Sequence, residues 1–422
     1  MQRAPLLMTP SAPQASAAVE PQPLPGFLAA FAFRNYRLLW TGAFLSSIGT
    51  WMQDVALAWL IHTRLHDPFY LGLRAFAAEA PLLAFMLVGG AAADRIDRRR
   101  ILLVSNVLQM TAAASLGLLY AAGLLGIGPI LLIAFLTGLA QSQSAPTYQA
   151  VITSLVPPRY IPTAVALNSL QFNLSRAIGP VLAGLLLSRG SMGLCFAANA
   201  LSFVAVIIAL WRIVIPSAGV PQGSLAESLR AGLQHVRQSA LLALLTLLGA
   251  AGSFLGFPLI TYLPVVAGDV LKSGAAGYSL LLSSFGLGAI VGAISTAHRG
   301  QVPGRGRLAL LALIVYGGVI LATMLSRQQY VSMALLFVAG AALVTAFSTL
   351  NSLVQEHAPD ALRGRVVSIY GLAFRGGMPV GSLIAGALVR PFGAPMTLGI
   401  FASVLALMAA ALYAGNARLR SL

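Results

Sequence analysis

The chain of 422 residues is 58% hydrophobic and only 9% charged, whereas about a quarter of residues are charged in soluble domains, which excludes a water-soluble globular protein. Its formal net charge of +16 would suit a nucleic-acid binder, but the basic residues, nearly all arginine with Lys272 the lone lysine, sit in short loops between apolar runs, so nucleic acid is excluded as a partner. The single cysteine, Cys195, lies in an apolar run and cannot form an intrachain disulfide, and no redox or zinc chemistry follows from it.

Residues 1–32 read as a disordered cytoplasmic tail, rich in Pro, Ala, Ser and Gln up to Gly26 and without the apolar core of a cleaved signal peptide. Apolar runs follow at 38–61, 70–93, 101–122, 128–150, 162–187 and 193–212, then at 241–267, 275–297, 308–325, 331–355, 366–388 and 394–414. Each approaches the ~20 residues a helix needs to cross ~30 Å of hydrocarbon. The expected fold is therefore an all-α membrane protein with twelve transmembrane helices, six in residues 33–212 and six in 241–414, and a second tail at 415–422. Between the two sets, residues 213–240 form a linker. There Leu225, Leu229, Leu233 and Val236 recur at helical spacing opposite Glu227, Arg230, Gln234 and Arg237, which predicts an amphipathic helix lying in the membrane interface.

Gly90-Ala-Ala-Ala-Asp94-Arg95-Ile-Asp97-Arg98-Arg99-Arg100 makes a charged knot between the second and third runs. Short cytoplasmic loops collect Lys and Arg, so the knot faces the cytoplasm. With twelve spans both termini do too. On that assignment eighteen arginines fall on the inner side, against four arginines and Lys272 on the outer.

The two halves are copies. Thr147-Tyr-Gln149 through Pro157 aligns without a gap on Thr349-Leu-Asn351 through Pro359, and Arg176-Ala-Ile-Gly179-Pro180-Val181 matches Arg375-Gly-Gly-Met-Pro379-Val380. Parallel repeats of this kind place a transporter's binding site near the bilayer midplane, where the halves meet.

The spacing of Gly90, Asp94, Arg95, Arg98 and Arg99 resembles the loop between the second and third helices of the major facilitator superfamily. Asp97 stands where that pattern usually has Gly. The Asp-Arg-x-Asp-Arg-Arg form is similar to the bacterial exporter branch that includes enterobactin exporters and the transmembrane secretion effector group. The resemblance implies two pseudo-symmetric six-helix bundles, with helices three, six, nine and twelve outside and the rest bordering a central cavity. It also implies that the knot latches the cytoplasmic side in the outward-facing state. Gly179-Pro180-x-x-Ala183-Gly184 resembles the family's antiporter motif, with Ser175 at the position of an earlier Gly. Gln141, Ser142, Gln143 and Ser144 occupy the fourth span in place of the family's arginine motif.

Charged side chains inside spans cost a few kcal/mol each and call for a reason. Five lie deep: Asp54, Arg74, Glu79, Arg176 and Arg375, all on helices that the resemblance places around the cavity. Asp54 and Glu79 are the expected proton-coupling acids, since desolvation favours a protonated carboxylate and a nearby guanidinium the ionised one. A fixed pair of Glu79 with Arg74 or Arg176 is the alternative. Arg74, Arg176 and Arg375, with Gln143 and Asn173, are the expected substrate contacts. The two repeat-related arginines should face each other across the cavity as a fork for an acidic group, or else bond carbonyls loosened near Pro180 and Pro379. Gly90, Asp94, Arg95, Arg98, Arg99, Gly179 and Pro180 are the expected gating residues.

The expected function is export of an amphipathic small molecule, siderophore- or drug-like, by alternating access with proton antiport in a bacterial cytoplasmic (inner) membrane. Membrane lipids and protons would be its partners, and the chain would work as a monomer. Transport of a lysophospholipid, or binding without transport, are the alternatives. No Walker loop and no cluster of His and acids suited to a metal is present, so the expectation is a protein that is not an enzyme and carries no cofactor.

Overall fold

The computed structural model describes residues 26–88, 97–215, 225–299 and 303–422; among these every regular element is helical. The first half contains α1 (Arg34–Leu60), α2 (Phe69–Val88), α3 (Arg98–Ala121), α4 (Ile127–Ser154), α5 (Ile161–Leu187) and α6 (Met192–Arg212). The linker contains α7 (Leu225–Gln238). The second half contains α8 (Ala240–Gly256), α9 (Pro258–Val265), α10 (Gly274–Arg299), α11 (Arg305–Leu325), α12 (Gln329–His357), α13 (Arg363–Gly415) and the short α14 (Ala417–Ser421). Nine spans among the described residues are long and apolar enough to cross a membrane. α1 and α2, which carry three of the five deep charges, are outside that nine. α13 runs 53 residues, far beyond one membrane thickness, and is broken at Gly393 (φ 77°, ψ 159°) between Pro391 and Pro395.

Proline chemistry explains the break between α8 and α9. Pro258 lacks an N–H and cannot continue the ladder, the Ile260 amide turns back to the Phe257 carbonyl at 2.9 Å, and the freed Gly256 carbonyl accepts from the buried Tyr316 hydroxyl at 2.7 Å. Asp97 caps α3, its carboxylate accepting from the Arg99 amide at 3.2 Å. That explains an acid where the family loop has Gly.

Within the first half α1 packs on α5 and α6, α2 on α4, and α3 on α4 and α6. In the second, α10 packs on α12, α8 on α13, and α11 on α12 and α13. The halves meet along two seams, α2 against α13 and α5 against α10. Two apolar cores show where they are joined. At the knot end the first half keeps a core of its own, built on Tyr36, Leu39, Leu102, Val151, Phe203 and Leu210. At the opposite end its Leu60, Ile61, Leu71, Leu116 and Phe196 share one continuous core with Tyr262, Leu281 and Leu398 of the second half. The molecule is shut at the end opposite the knot.

Three sequence-based boundaries shift. Gly26–Ala32, placed in the tail, is a 3-10 helix packed against α5, with Ala29 and Ala30 buried and Phe31 set edge-on to Trp40 at 4.9 Å. The C-terminal residues are docked as well: Leu419 is buried, and the Gly306 amide bonds the Leu422 carbonyl at 3.3 Å. α7 is helical as expected, but it packs on protein as well as being amphipathic. Val236 is buried, and a Cβ on Gly232 would stand 2.9 Å from the Arg365 carbonyl at the start of α13.

Candidate functional site

Of the deep charges, Asp54, Arg74 and Glu79 lie on α1 and α2, and α2 packs along α13, which carries Arg375. On α1 and α2, the Arg74 guanidinium donates to the Asp54 carboxylate; the side chains keep 20% and 38% of their exposure, so the pair is shielded but wet. Glu79, a turn and a half further along α2, is half-buried, and the charges acting on it are Arg375 of α13 and Asp54. Arg375 is exposed although it lies midway along its arm, so a vestibule opens beside it on α13. Asp54 and Arg74 are thus paired, and Glu79 lies within the electrostatic reach of Asp54 and of Arg375 from the other half. The sequence left Glu79 with Arg74 or Arg176 as a fixed pair; the structure gives Arg74 to Asp54, and the cation whose charge acts on Glu79 is Arg375. Tyr278 of α10 is buried close to the Asp54–Arg74 pair and stacks on Trp59 at 6.1 Å. No sequence signal marked it.

Arg176 departs from expectation. It does not face Arg375 across the vestibule but is 8% exposed, inserted in the α5–α10 seam. Its guanidinium lies 5.7 Å from the Trp51 ring centroid of the first half and 5.0 Å from that of Phe285 in the second. Among the described residues it forms no ion pair, and its Nε has no hydrogen-bond partner. Repeat symmetry gave the two arginines equivalent positions along their helices; different neighbours give them different surroundings. The backbone crowds here too, since a Cβ on Gly286 would stand 3.2 Å from the Arg176 carbonyl.

Of the other expected contacts, Asn173 is tied to its own helix, donating to the Ser169 carbonyl at 2.8 Å. Gln143 is half-buried on α4. Phe172, packed against Trp51 at 6.0 Å, is 52% exposed, and Phe374 belongs to an aromatic cluster with Phe257, Phe347 and Tyr370 beside Arg375. Gly90, Asp94 and Arg95 lie outside the described residues. Arg99 donates to the Trp211 carbonyl at 2.7 Å, tying α3 to the end of α6; Arg98 opens α3. Gly179 sits where α5 crosses α1, a Cβ there falling 2.5 Å from that of Trp51 and 3.0 Å from the Ile48 carbonyl, so the small residue permits this crossing. Pro180 is buried next to it.

The shut end is fastened by contacts that the sequence did not disclose. Arg390 of α13 forks onto both oxygens of Asp67 and lies over the Phe69 ring at 4.6 Å. His62 stands 3.5 Å from Asp269. Both belong to π-helical turns, Ile61–Leu65 after α1 and Val266–Val270 after α9, and each turn is followed within two residues by a left-handed residue, His66 (φ 53°) and Lys272 (φ 49°). The repeat extends to these ends, with no shared residues to reveal it. Burial holds the His62 ring below the usual imidazole value, against the pull of Asp269 and with a smaller push from His66. The Arg390 hydrogen bond holds the Asp67 carboxyl below the usual carboxylate range.

Two helical bundles joined along α2–α13 and α5–α10, with one continuous core at the end opposite the knot, have the major facilitator fold. Residues 26–422 match the family described as "Transmembrane secretion effector", and the chain belongs to that family. It is 25% identical over 373 residues to the staphyloferrin A transporter of Staphylococcus aureus, spanning 86% of this chain and 92% of that one. It is 27% identical over 384 residues to the enterobactin exporter EntS of Escherichia coli O1:K1, spanning 86% of each. Among solved structures, an inward-facing, unoccupied bacterial homologue of the human lysosomal transporter Spinster shares the fold, with a TM-score of 0.71, 15% identity and coverage of 92% of this chain and 98% of that one.

Proposed function

We propose that this protein exports an amphipathic, acidic small molecule of the siderophore or drug-like class in exchange for protons. It would work as a monomer in a bacterial cytoplasmic membrane that it crosses twelve times, with α1, α2 and both arms of α13 each crossing once. The knot end and both termini would face the cytoplasm, following the arginine bias. On that orientation the structure is the inward-facing state, ready to load.

The observation that carries the reading is that Glu79 of the first half lies within the electrostatic reach of Arg375 of the second, beside the Asp54–Arg74 pair. A substrate entering the vestibule sets its acidic group on Arg375 and its hydroxyl donors on the ionised Glu79 carboxylate, which displaces to the cytoplasm the proton that Glu79 carried in. On the other side a proton binding Glu79 removes those hydrogen bonds and releases the substrate, so that proton and substrate cross in opposite directions. Arg176 adds a further positive charge at the base of the vestibule and biases the site toward anions.

The test is accumulation of a panel of siderophores, dyes, drugs and lysophospholipids in inverted membrane vesicles, for wild type, Asp54→Asn, Glu79→Gln and Arg375→Gln, with and without a protonophore. Uptake of an acidic class that the protonophore and Glu79→Gln both abolish supports the proposal. Uptake indifferent to both contradicts proton exchange, and uptake of lysophospholipid alone would replace the substrate class.

A further inference from the structure

On the face of the second half turned away from the first, α11 and the second arm of α13 enclose an open groove of about 460 Å3, within the ~300–1,000 Å3 typical of small-molecule sites. Its walls are apolar: Leu321, Met324, Met396, Ile400, Val404 and Leu407. Its floor is set by Gly399 and Ser403, one helical turn apart on the same face of α13. Only the Leu321 Cδ1, at 3.5 Å, comes near the place of a Gly399 Cβ, so these two positions leave a furrow between helices that touch elsewhere. From Pro395 to Leu407 the groove follows twelve residue steps, roughly 18 Å at 1.5 Å each, a little more than one leaflet's share of a ~30 Å hydrocarbon layer.

One end of the groove carries the only charge in its lining. Arg327 sits where α11 ends, beside Pro395, at the end of the molecule opposite the knot. Its Nη1 makes long bonds to the Met324 and Ser326 carbonyls, 3.4 and 3.5 Å. The residue is exposed and has no carboxylate partner among the described residues. A cation at headgroup level, above an apolar furrow of leaflet depth, is complementary to one kind of molecule: an amphiphile with a phosphate at the top and an acyl chain below. The rims are apolar as well, Leu325 being 74% and Leu407 69% exposed.

We propose that the α11–α13 groove is a binding site for a glycerophospholipid of the leaflet on the shut side, with one acyl chain along Gly399 and Ser403 and the phosphate on Arg327. The site lies on the lipid-facing side, away from the vestibule, and the proposal stands apart from the identity of the transported substrate.

Native mass spectrometry of the full chain, released from mild detergent after incubation with dipalmitoyl phosphatidylglycerol or dipalmitoylglycerol, tests it. Wild type should retain one phosphatidylglycerol and hold it about tenfold better than the diacylglycerol. Gly399→Leu and Ser403→Leu fill the furrow and should lose this retention. Arg327→Gln should bind both lipids alike. Gly318→Leu on α11, where nothing lies within 4 Å of the added Cβ, should behave as wild type. Unchanged melting in the same detergent certifies each variant, and Ser403→Leu serves alone if Gly399→Leu does not fold. Equal retention in wild type and both filled variants would overturn the proposal, leaving only a non-specific lipid annulus. A two-chain species lost on filling the groove would also overturn it, by showing that a second copy occupies the site.

Discussion

Gly72 gives a direct handle on the shut end. It lies on α2 where that helix meets the second half, and a Cβ added there would collide with the Ser382 carbonyl and the Tyr262 hydroxyl. Those two groups are bonded to each other at 2.7 Å with Tyr262 fully buried. Gly72→Ala therefore brings an overpacking cost of ~1–3 kcal/mol and threatens a buried hydrogen bond whose loss costs ~1–3 kcal/mol. Both costs fall on the shut conformation and are relieved when the halves part. At ~1.4 kcal/mol per decade, even the lower figures summed shift the equilibrium toward the open form by more than tenfold. Ser279, 1% exposed on the α5–α10 seam, is the reporter. As a cysteine it should react slowly with a membrane-impermeant maleimide applied to the outer side, and at least tenfold faster in Gly72→Ala. Background is low, because the one native cysteine, Cys195, is itself buried. Gly371→Ala, with nothing within 4 Å, should leave the rate unchanged. Equal rates in Gly72→Ala and Gly371→Ala, in folded protein, would refute the view that this contact holds the shut state.

The same reporter should respond to outer pH. Burial lowers the His62 proton affinity in the shut seam, and hydration on opening returns it to the ordinary value near ~6.5, so the open form binds more protons. Acidification through ~6.5 should therefore speed Ser279→Cys labelling, level off below the shut-state value, and vanish in His62→Asn; Asp67, held ionised by Arg390, should not contribute above mildly acidic pH. For the Asp54–Arg74 pair, thermal unfolding of Asp54→Asn, Arg74→Gln and the double variant should give a favourable coupling energy of ~0.5–3 kcal/mol; additive effects would show that the pair is not formed. Gly138→Ala should destabilise by ~1–3 kcal/mol because its Cβ runs into the Ala78 carbonyl where α4 crosses α2, and equal melting temperatures would contradict that crossing.

Hydropathy made the nine long apolar spans among the described residues legible, because a helix in hydrocarbon must be apolar along its length and the loops must hold the charge. The repeat of Arg176 and Arg375 was legible in register, and Gly179 was legible as a close-packing position. Partners were not. Arg74 and Asp54 are on different helices, and nothing in either segment says that these faces meet. Phe285 and Trp51 carry no charge or motif that marks them in the sequence, although they hold Arg176 between the halves at 5.0 and 5.7 Å. Equivalent repeat positions share a depth and a backbone path, but the fate of a side chain depends on its neighbours: Arg176 is buried against Phe285, while Arg375 is exposed. The docking of Gly26–Ala32 was hidden for a related reason. Its buried residues, Ala29 and Ala30, are too small to raise a hydropathy signal.

The exchange of substrate for protons at Glu79 is tested most directly in sealed proteoliposomes with no starting pH gradient. A gradient of the substrate identified in vesicles is imposed, and internal pH is followed with a trapped dye. Wild type should drive protons against the direction of substrate flow, and Glu79→Gln should still bind substrate, with no proton movement. Substrate movement without any proton flux in wild type, or proton flux undiminished in Glu79→Gln, would contradict the account.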